Sequence, residues 1–128
     1  MHSSLALARY RKVAQPQPSE IEDPHAVIEV TLRELTRSAQ VLLAAEAAGT
    51  RGPDSHLNRA LTAIYILQSS LDFEQGADIA EDLFKLYEFT RLQILLHWRG
   101  EGGGDLATAV RALEDIHGAW VAIGKTQR

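Results

Sequence analysis

The chain has 128 residues, no cysteine and a net charge of −4 from 13 basic and 17 acidic side chains. This length predicts one domain with its own core, and the absence of cysteine excludes a disulfide framework and thiolate chemistry. The negative charge disfavours nucleic acid as a partner, because phosphate binding needs a basic surface.

Residues 1–22 are predicted to form an N-terminal arm and a linker. A short helix is predicted over residues 1–13, where Tyr10 and neighbouring leucines provide some apolar surface. A helix of this length is marginal on its own. The prolines Pro16 and Pro18 then favour extended backbone, so we expect the arm to be tethered to the rest of the domain.

The apolar stretch at the start of the chain does not resemble a signal peptide, because it is short and soon interrupted by Arg9 and Arg11. No apolar run elsewhere approaches the ~20 residues that span a bilayer. We therefore expect a cytoplasmic protein that is not inserted into a membrane.

Residues 23–128 are predicted to fold as an all-α, antiparallel, up-down four-helix bundle. Apolar side chains recur there every three to four residues, as in helices with one buried face. Short connections make successive helices antiparallel neighbours. The predicted helices cover residues 24–48, 54–73, 78–99 and 105–123.

The join between the second and third predicted helices is unusual. Gly76 is expected to end the second helix, since glycine adopts positive φ at a helix C-terminus without steric cost. Asp78, Glu81 and Asp82 then place negative charge on the first turn of the third helix, where the helix dipole is positive.

Candidate catalytic and metal-binding residues are better explained by structural roles. Glu114 and His117 match the Glu-x-x-His pattern of di-metal bundles, but the second copy over residues 22–25 straddles a predicted helix start. Ser69 and Ser70 lack the surroundings that activate a nucleophile. We therefore expect no enzyme activity, no metal and no cofactor.

The segment over residues 69–89 resembles the central part of the flagellin export chaperones, the FliS family. Members typically read Ser-Leu-Asp, an acid, one or two glycines, Glu-Ile-Ala, Leu-x-x-Leu-Tyr and an aromatic residue. The matching residues here are Ser70-Leu71-Asp72, Glu74, Gly76, Ile79-Ala80, Leu83, Leu86-Tyr87 and Phe89. Further matches, in the family's order and approximate spacing, are Tyr10, Asp23-Pro24-His25 and Ala119-Trp120.

The chain also departs from the family pattern at several positions. Ala77 replaces the second glycine, Asp82 stands where an asparagine is usual, and Leu92-Gln93 replaces a pair of arginines. Residues 31–34 lack the Tyr-Asp-Gly-like stretch of the family's first helix. These differences suggest altered charge contacts with the client.

The resemblance implies a cytoplasmic chaperone that binds the disordered C-terminal segment of flagellin. Such a chaperone prevents premature polymerisation and helps deliver flagellin to the flagellar type III export apparatus, with export-gate components as further partners. A monomer or a weak homodimer is expected. The alternative is a helical-bundle adaptor for another secretion or regulatory client.

Client contacts are expected along the central hairpin and the arm. For Asp72 a capping role in the turn competes with client contact, and for Leu83 and Leu86 core packing competes with it. The predicted client-binding residues are Tyr10, Ile64, Leu71, Asp72, Ile79, Leu83, Leu86 and Tyr87.

Overall fold

The computed structural model describes residues 23–127 and confirms the predicted all-α four-helix bundle. Successive helices pack against one another, and the last helix packs against the first. No helix in this range is long and apolar enough to cross a membrane. Tyr10 and the predicted arm lie outside the described residues. The helices are α1 (Pro24–Ala47), α2 (Asp54–Ser69), α3 (Phe73–Arg99) and α4 (Leu106–Gln127).

All four helices contribute to one core. Each helix buries a stripe of apolar side chains spaced by three or four residues, as the periodicity predicts. Burying one large aliphatic side chain stabilises the fold by about 1.5–3 kcal/mol. The largest fully buried apolar side chains are Leu32, Leu35, Leu42, Ile64, Leu67, Ile94, Leu106 and Leu113.

The beginning of α1 is fastened to the last turns of α4. Asp23 caps α1 as predicted, since its Oδ1 accepts the amide of His25 at 3.0 Å. His25 Nε2 donates to the Trp120 carbonyl at 3.0 Å, and Trp120 Nε1 donates to the His25 carbonyl at 2.9 Å. Their rings stack 4.4 Å apart. The two family-like segments Asp23-Pro24-His25 and Ala119-Trp120 are therefore in contact with each other through His25 and Trp120.

The hairpin between α2 and α3 differs from the prediction in its boundaries. Helix α2 ends at Ser69, not at Phe73, and α3 begins at Phe73, not at Asp78. The cause is Asp72, whose Oδ1 accepts the amides of Glu74 at 3.0 Å and Gln75 at 3.1 Å. This cap starts a new helical turn one residue later.

The expected positive φ at Gly76 is wrong, because the reversal falls on Ala77, which has φ 45° and ψ −120°. The Gly76 amide donates to the Asp72 carbonyl at 2.7 Å, which closes the short turn and keeps Gly76 helical. The break in the helical backbone therefore falls on the next residue, Ala77. Ala77 therefore adopts a backbone conformation that favours glycine.

At the opposite end of the bundle, α3 is joined to α4 through Gln93. Its Oε1 accepts the amide of Asp105 at 2.6 Å, and Gln93 is buried. Asp105 in turn accepts from the amide and hydroxyl of Thr108 at the first turn of α4, as the predicted N-cap position requires. These hydrogen bonds lower the pKa of Asp105.

Candidate functional site

Two of the predicted client-binding residues lie in the core. Ile64 is fully buried and Tyr87 is only 3% exposed. Burial raises the pKa of Tyr87 to about 12, because the ionised phenol would lose its hydration. Contact between a client and these side chains would require the helices to part, so their assignment as contacts stays a prediction.

The remaining predicted residues lie nearer the surface. Leu71 and Leu83 are partly buried and pack against the core, whereas Ile79 is 71% exposed. Asp72 caps α3 with its carboxylate, which gives it a structural role. Ile79 is therefore the most accessible apolar side chain among the predicted contacts in the described range.

One side of α3 faces α4. Ile79, Leu83 and Leu86 follow one another at steps of four and three residues and share this side. Gln93 lies seven residues after Leu86, which is about two turns of helix. Its side chain accepts a hydrogen bond from the amide of Asp105, the residue just before α4. Because Gln93 marks the direction of α4, the three apolar side chains border the groove between α3 and α4.

A matching apolar stripe lies on α4. Ile116, Ala119 and Ile123 occupy one side of the helix at steps of three and four residues, and Ile123 is 45% exposed. Glu114 lies on the other side, where it accepts from Gln40 of α1 at 2.7 Å. Since α1 flanks α4 there, the stripe faces α3.

These two stripes define the α3–α4 groove. The contribution of α4 was missing from the predicted site, although the spacing of its isoleucines was visible in the sequence. The sequence alone does not show that this stripe of α4 faces α3, because that depends on how the helices pack. The groove residues are Ile79, Leu83, Leu86, Ile116, Ala119 and Ile123.

The opposite side of α3 faces α2. Gln68 of α2 donates to Glu88 at 2.9 Å, and Arg91 pairs with the same carboxylate at 2.9 Å. The hydrogen bonds from Arg91 and Gln68 lower the pKa of Glu88 to about 2. Phe84 lies one turn before Glu88, and its ring meets that of Phe73 edge-on with 6.0 Å between centroids.

Exposed large apolar side chains are concentrated on α3. Of the eight such residues in the described range, five belong to this helix. Extended apolar patches on a protein surface mark interaction sites more often than single exposed residues do. Helix α3 is therefore the best candidate for partner binding. The five are Phe73, Ile79, Phe84, Phe89 and Leu92.

The described residues contain one serine–histidine contact, between Ser38 Oγ and His56 Nδ1 at 3.1 Å. Ser38 is only 1% exposed, so a substrate could not reach its hydroxyl. No group of three or more histidine or acidic side chains within residues 23–127 could hold a metal ion. Glu114 is hydrogen-bonded to Gln40, and the buried Nε2 of His117 has no hydrogen-bond partner. The Ser38–His56 and Gln40–Glu114 contacts each join two helices of the bundle.

Comparison with known proteins gives a consistent result over nearly the whole chain. The family model for the flagellar protein FliS matches residues 6–127. A curated relative, the flagellar secretion chaperone FliS of Vibrio cholerae serotype O1, is 27% identical over 119 residues. The aligned region covers 90% of this chain and 85% of the relative. No solved structure matches the chain.

Proposed function

This chain belongs to the FliS family of flagellar secretion chaperones, and we propose that its client is flagellin, bound through its disordered C-terminal segment. In the cytoplasm, the chaperone would keep flagellin from polymerising prematurely. It would then help to deliver the subunit to the flagellar type III export apparatus, where export-gate components are further partners. The observation that carries this proposal is the exposed apolar surface of α3 in a member of this family.

The α3–α4 groove suits a helical segment of the client. An amphipathic helix docks by placing side chains at i, i+3, i+4 and i+7 into an apolar groove. Ile79 and Ile123 would each lose exposed surface when such a helix binds. Binding therefore converts an apolar surface that is costly in water into a buried contact.

Coupled folding makes an extended interface necessary. Each backbone residue that becomes ordered costs about 1–2 kcal/mol, so a disordered segment needs a large apolar contact to offset this loss. Phe73 and Phe84 on the α2 side of α3 add apolar surface to that of the groove. We propose that the client contacts both sides of α3.

Calorimetric titration with full-length and C-terminally truncated flagellin tests this proposal. We expect a one-to-one complex with the full-length protein and a large negative heat-capacity change, because apolar surface is buried. The truncated protein should not bind. Equal binding of both forms would contradict the assignment of the C-terminal segment as the client site.

A pair of surface variants tests the location of the site. Ile79→Ala should weaken flagellin binding because it removes exposed apolar surface from the α3–α4 groove. Val30→Ala is the matched control, since Val30 is 46% exposed but lies on α1. A loss of affinity only in the Val30 variant would place the client elsewhere.

The N-terminal arm, which lies outside the described residues, is proposed to shield an apolar groove when no client is present. An arm docked by ~1.4 kcal/mol would lower the client's apparent affinity about tenfold. Deletion of residues 1–13 should then increase the binding of a hydrophobic dye and change the affinity for flagellin, and Tyr10→Ala should reproduce part of this change. Unaltered dye binding and affinity after the deletion would show that the arm is passive.

A further inference from the structure

The rims of the α3–α4 groove are acidic. Asp82 lies one turn after Ile79 and one turn before Leu86, so its carboxylate borders the apolar stripe of α3. On α4, Asp115 lies one turn before Ala119 and borders the facing stripe. Both aspartates are exposed, and no salt bridge involving either is present among the described residues.

The two aspartates lie at nearly the same level of the bundle. Gln93 and Asp105 are in contact, and α3 and α4 run antiparallel from that point. Asp82 is 11 residues before Gln93, and Asp115 is 10 residues after Asp105. Because each helical residue rises about 1.5 Å, the two carboxylates lie within about one residue of the same height. They therefore flank the same section of the groove.

This section of the groove also presents exposed apolar side chains on both helices. By the same counting, Ile79 lies level with Ala119, because each is 14 residues from the Gln93–Asp105 contact. Both side chains are exposed, so a partner's apolar side chain can contact them. The groove thus combines an apolar floor with a carboxylate on each rim.

Basic side chains in this region do not reverse its charge. Residues 73–86 of α3 carry four acidic side chains and one lysine, Lys85. On α4, Arg111 lies one turn before Asp115, but its guanidinium donates to the Thr108 hydroxyl at 3.1 Å. The first half of α3 therefore carries a net negative charge beside the groove, which favours positive charge on whatever docks there.

Resting on the proposed function, we infer that the groove selects a client helix whose apolar stripe is flanked on both sides by lysine or arginine. Asp82 and Asp115 accept these flanking charges, one from each rim. The apolar floor provides most of the contact, while the two carboxylates decide which amphipathic helices fit. Client selection by this chain is therefore partly electrostatic.

Two synthetic amphipathic peptides test this inference directly. They share one apolar face, and the flanking positions carry lysine in one peptide and glutamate in the other. At low salt the wild-type chaperone should bind the lysine peptide about tenfold more tightly, and the preference should largely disappear near 1 M salt, because exposed charges are then screened. Equal affinities at low salt would overturn the inference.

A double variant, Asp82→Asn with Asp115→Asn, removes both carboxylates with little change in shape. We expect its affinity for the lysine peptide to fall about fivefold, as for the loss of two exposed ion pairs, with little effect on the glutamate peptide. Thermal melts should show that the variant folds. Unchanged affinity for the lysine peptide would contradict the assignment of the two aspartates.

The matched control is Glu81→Gln with Glu114→Gln. It makes the same change in net charge at adjacent positions, but Glu81 lies towards α2 and Glu114 towards α1. Glutamine at position 114 can still accept from Gln40. The control should keep the preference for the lysine peptide, and an equal loss in both double variants would show that the groove rims have no special role.

Flagellin itself separates the two proposals. If flagellin does not bind while the lysine peptide is preferred, the proposed client is wrong and the charge selection stands. If flagellin binds wild type and the Asp82→Asn, Asp115→Asn variant equally, and the peptides are not distinguished, the proposed function stands and the charge selection is wrong.

Discussion

Helices α1 and α3 use the same kind of apolar pattern for different purposes. In α1, Leu32, Leu35 and Leu42 are almost completely buried, and the helix packs extensively against α2 and α4. In α3, by contrast, large apolar side chains such as Ile79 remain exposed, and its packing against α2 and α4 is less extensive. The bundle therefore separates residues that stabilise the fold from exposed apolar residues, where we propose that the client binds.

The polar residues of the two helices differ in the same way. In α1, the hydroxyl of buried Thr36 donates to the Leu32 carbonyl at 2.7 Å, so a polar group is satisfied inside the core. In the first half of α3, the acidic residues Asp78, Glu81 and Asp82 are exposed. Helix α1 thus behaves as a scaffold, whereas the first half of α3 has the composition of a binding surface.

The largest expected effect is a loss of stability in α1. Leu35→Ala should lower the free energy of unfolding by about 2–5 kcal/mol, because it removes a fully buried side chain and leaves a cavity. Leu83→Ala should cost less, since Leu83 is only partly buried, and Ile79→Ala should change the value by less than about 0.5 kcal/mol. Urea melts with a common slope measure all three.

The effect of these variants on flagellin binding should not follow their effect on stability. Ile79→Ala should weaken binding while leaving the urea midpoint almost unchanged. A stability loss at Ile79 as large as that at Leu35 would remove the distinction between scaffold and binding surface.

A second prediction concerns Tyr87, where α3 becomes part of the core. Burial raises the pKa of this phenol to about 12 in the folded protein, whereas its ordinary pKa of 10.0 applies in the unfolded chain. The stabilisation is thus fully present below pH 10 and is lost as pH rises towards 12, by about 2–3 kcal/mol. Denaturant melts at increasing alkaline pH should show this decline.

Tyr65 provides the control for this prediction, because it lies on α2 and is 72% exposed. Tyr87→Phe should remove most of the alkaline decline, whereas Tyr65→Phe should retain it. If both variants decline like wild type, burial of Tyr87 does not account for the pH dependence.

Much of the bundle could be predicted because its signals are local. The apolar spacing identified four helices, and Asp23 and Asp105 were recognised as caps from the residues themselves. The α2–α3 boundary was misplaced because Asp72, Gly76 and Ala77 compete for the same turn. Only the hydrogen bonds that Asp72 accepts from the amides of Glu74 and Gly76 show which residue takes the unfavourable conformation.

The candidate site was less predictable because it depends on tertiary packing. Ile64 and Tyr87 carry the same kind of apolar signal as Ile79, yet two are buried and one is exposed. Which side of α3 is covered depends on the positions of α2 and α4. The α4 half of the groove, with Ile123 at its edge, was missed for the same reason.

A smaller effect than those at Leu35 and Tyr87 is expected at the strained turn that begins α3. Ala77→Gly should increase the free energy of unfolding by about 1 kcal/mol, because glycine adopts φ 45° and ψ −120° without the steric cost that alanine carries. Greater freedom of glycine in the unfolded chain reduces the gain but does not cancel it. Thermal melts should then show a rise in Tm of about 3–5 °C.

Gly76→Ala is the matched control, one residue earlier on the same turn. Its new Cβ would lie 3.0 Å from the Ala80 Cβ, so the closer packing opposes the better helix propensity of alanine. We therefore expect no increase in stability. Because α1 contains no comparable backbone strain, a gain from Ala77→Gly would show that the start of α3 is less than optimally stable, as expected if this segment is the proposed binding surface. A decrease in Tm for Ala77→Gly would show instead that the alanine conformation is not strained.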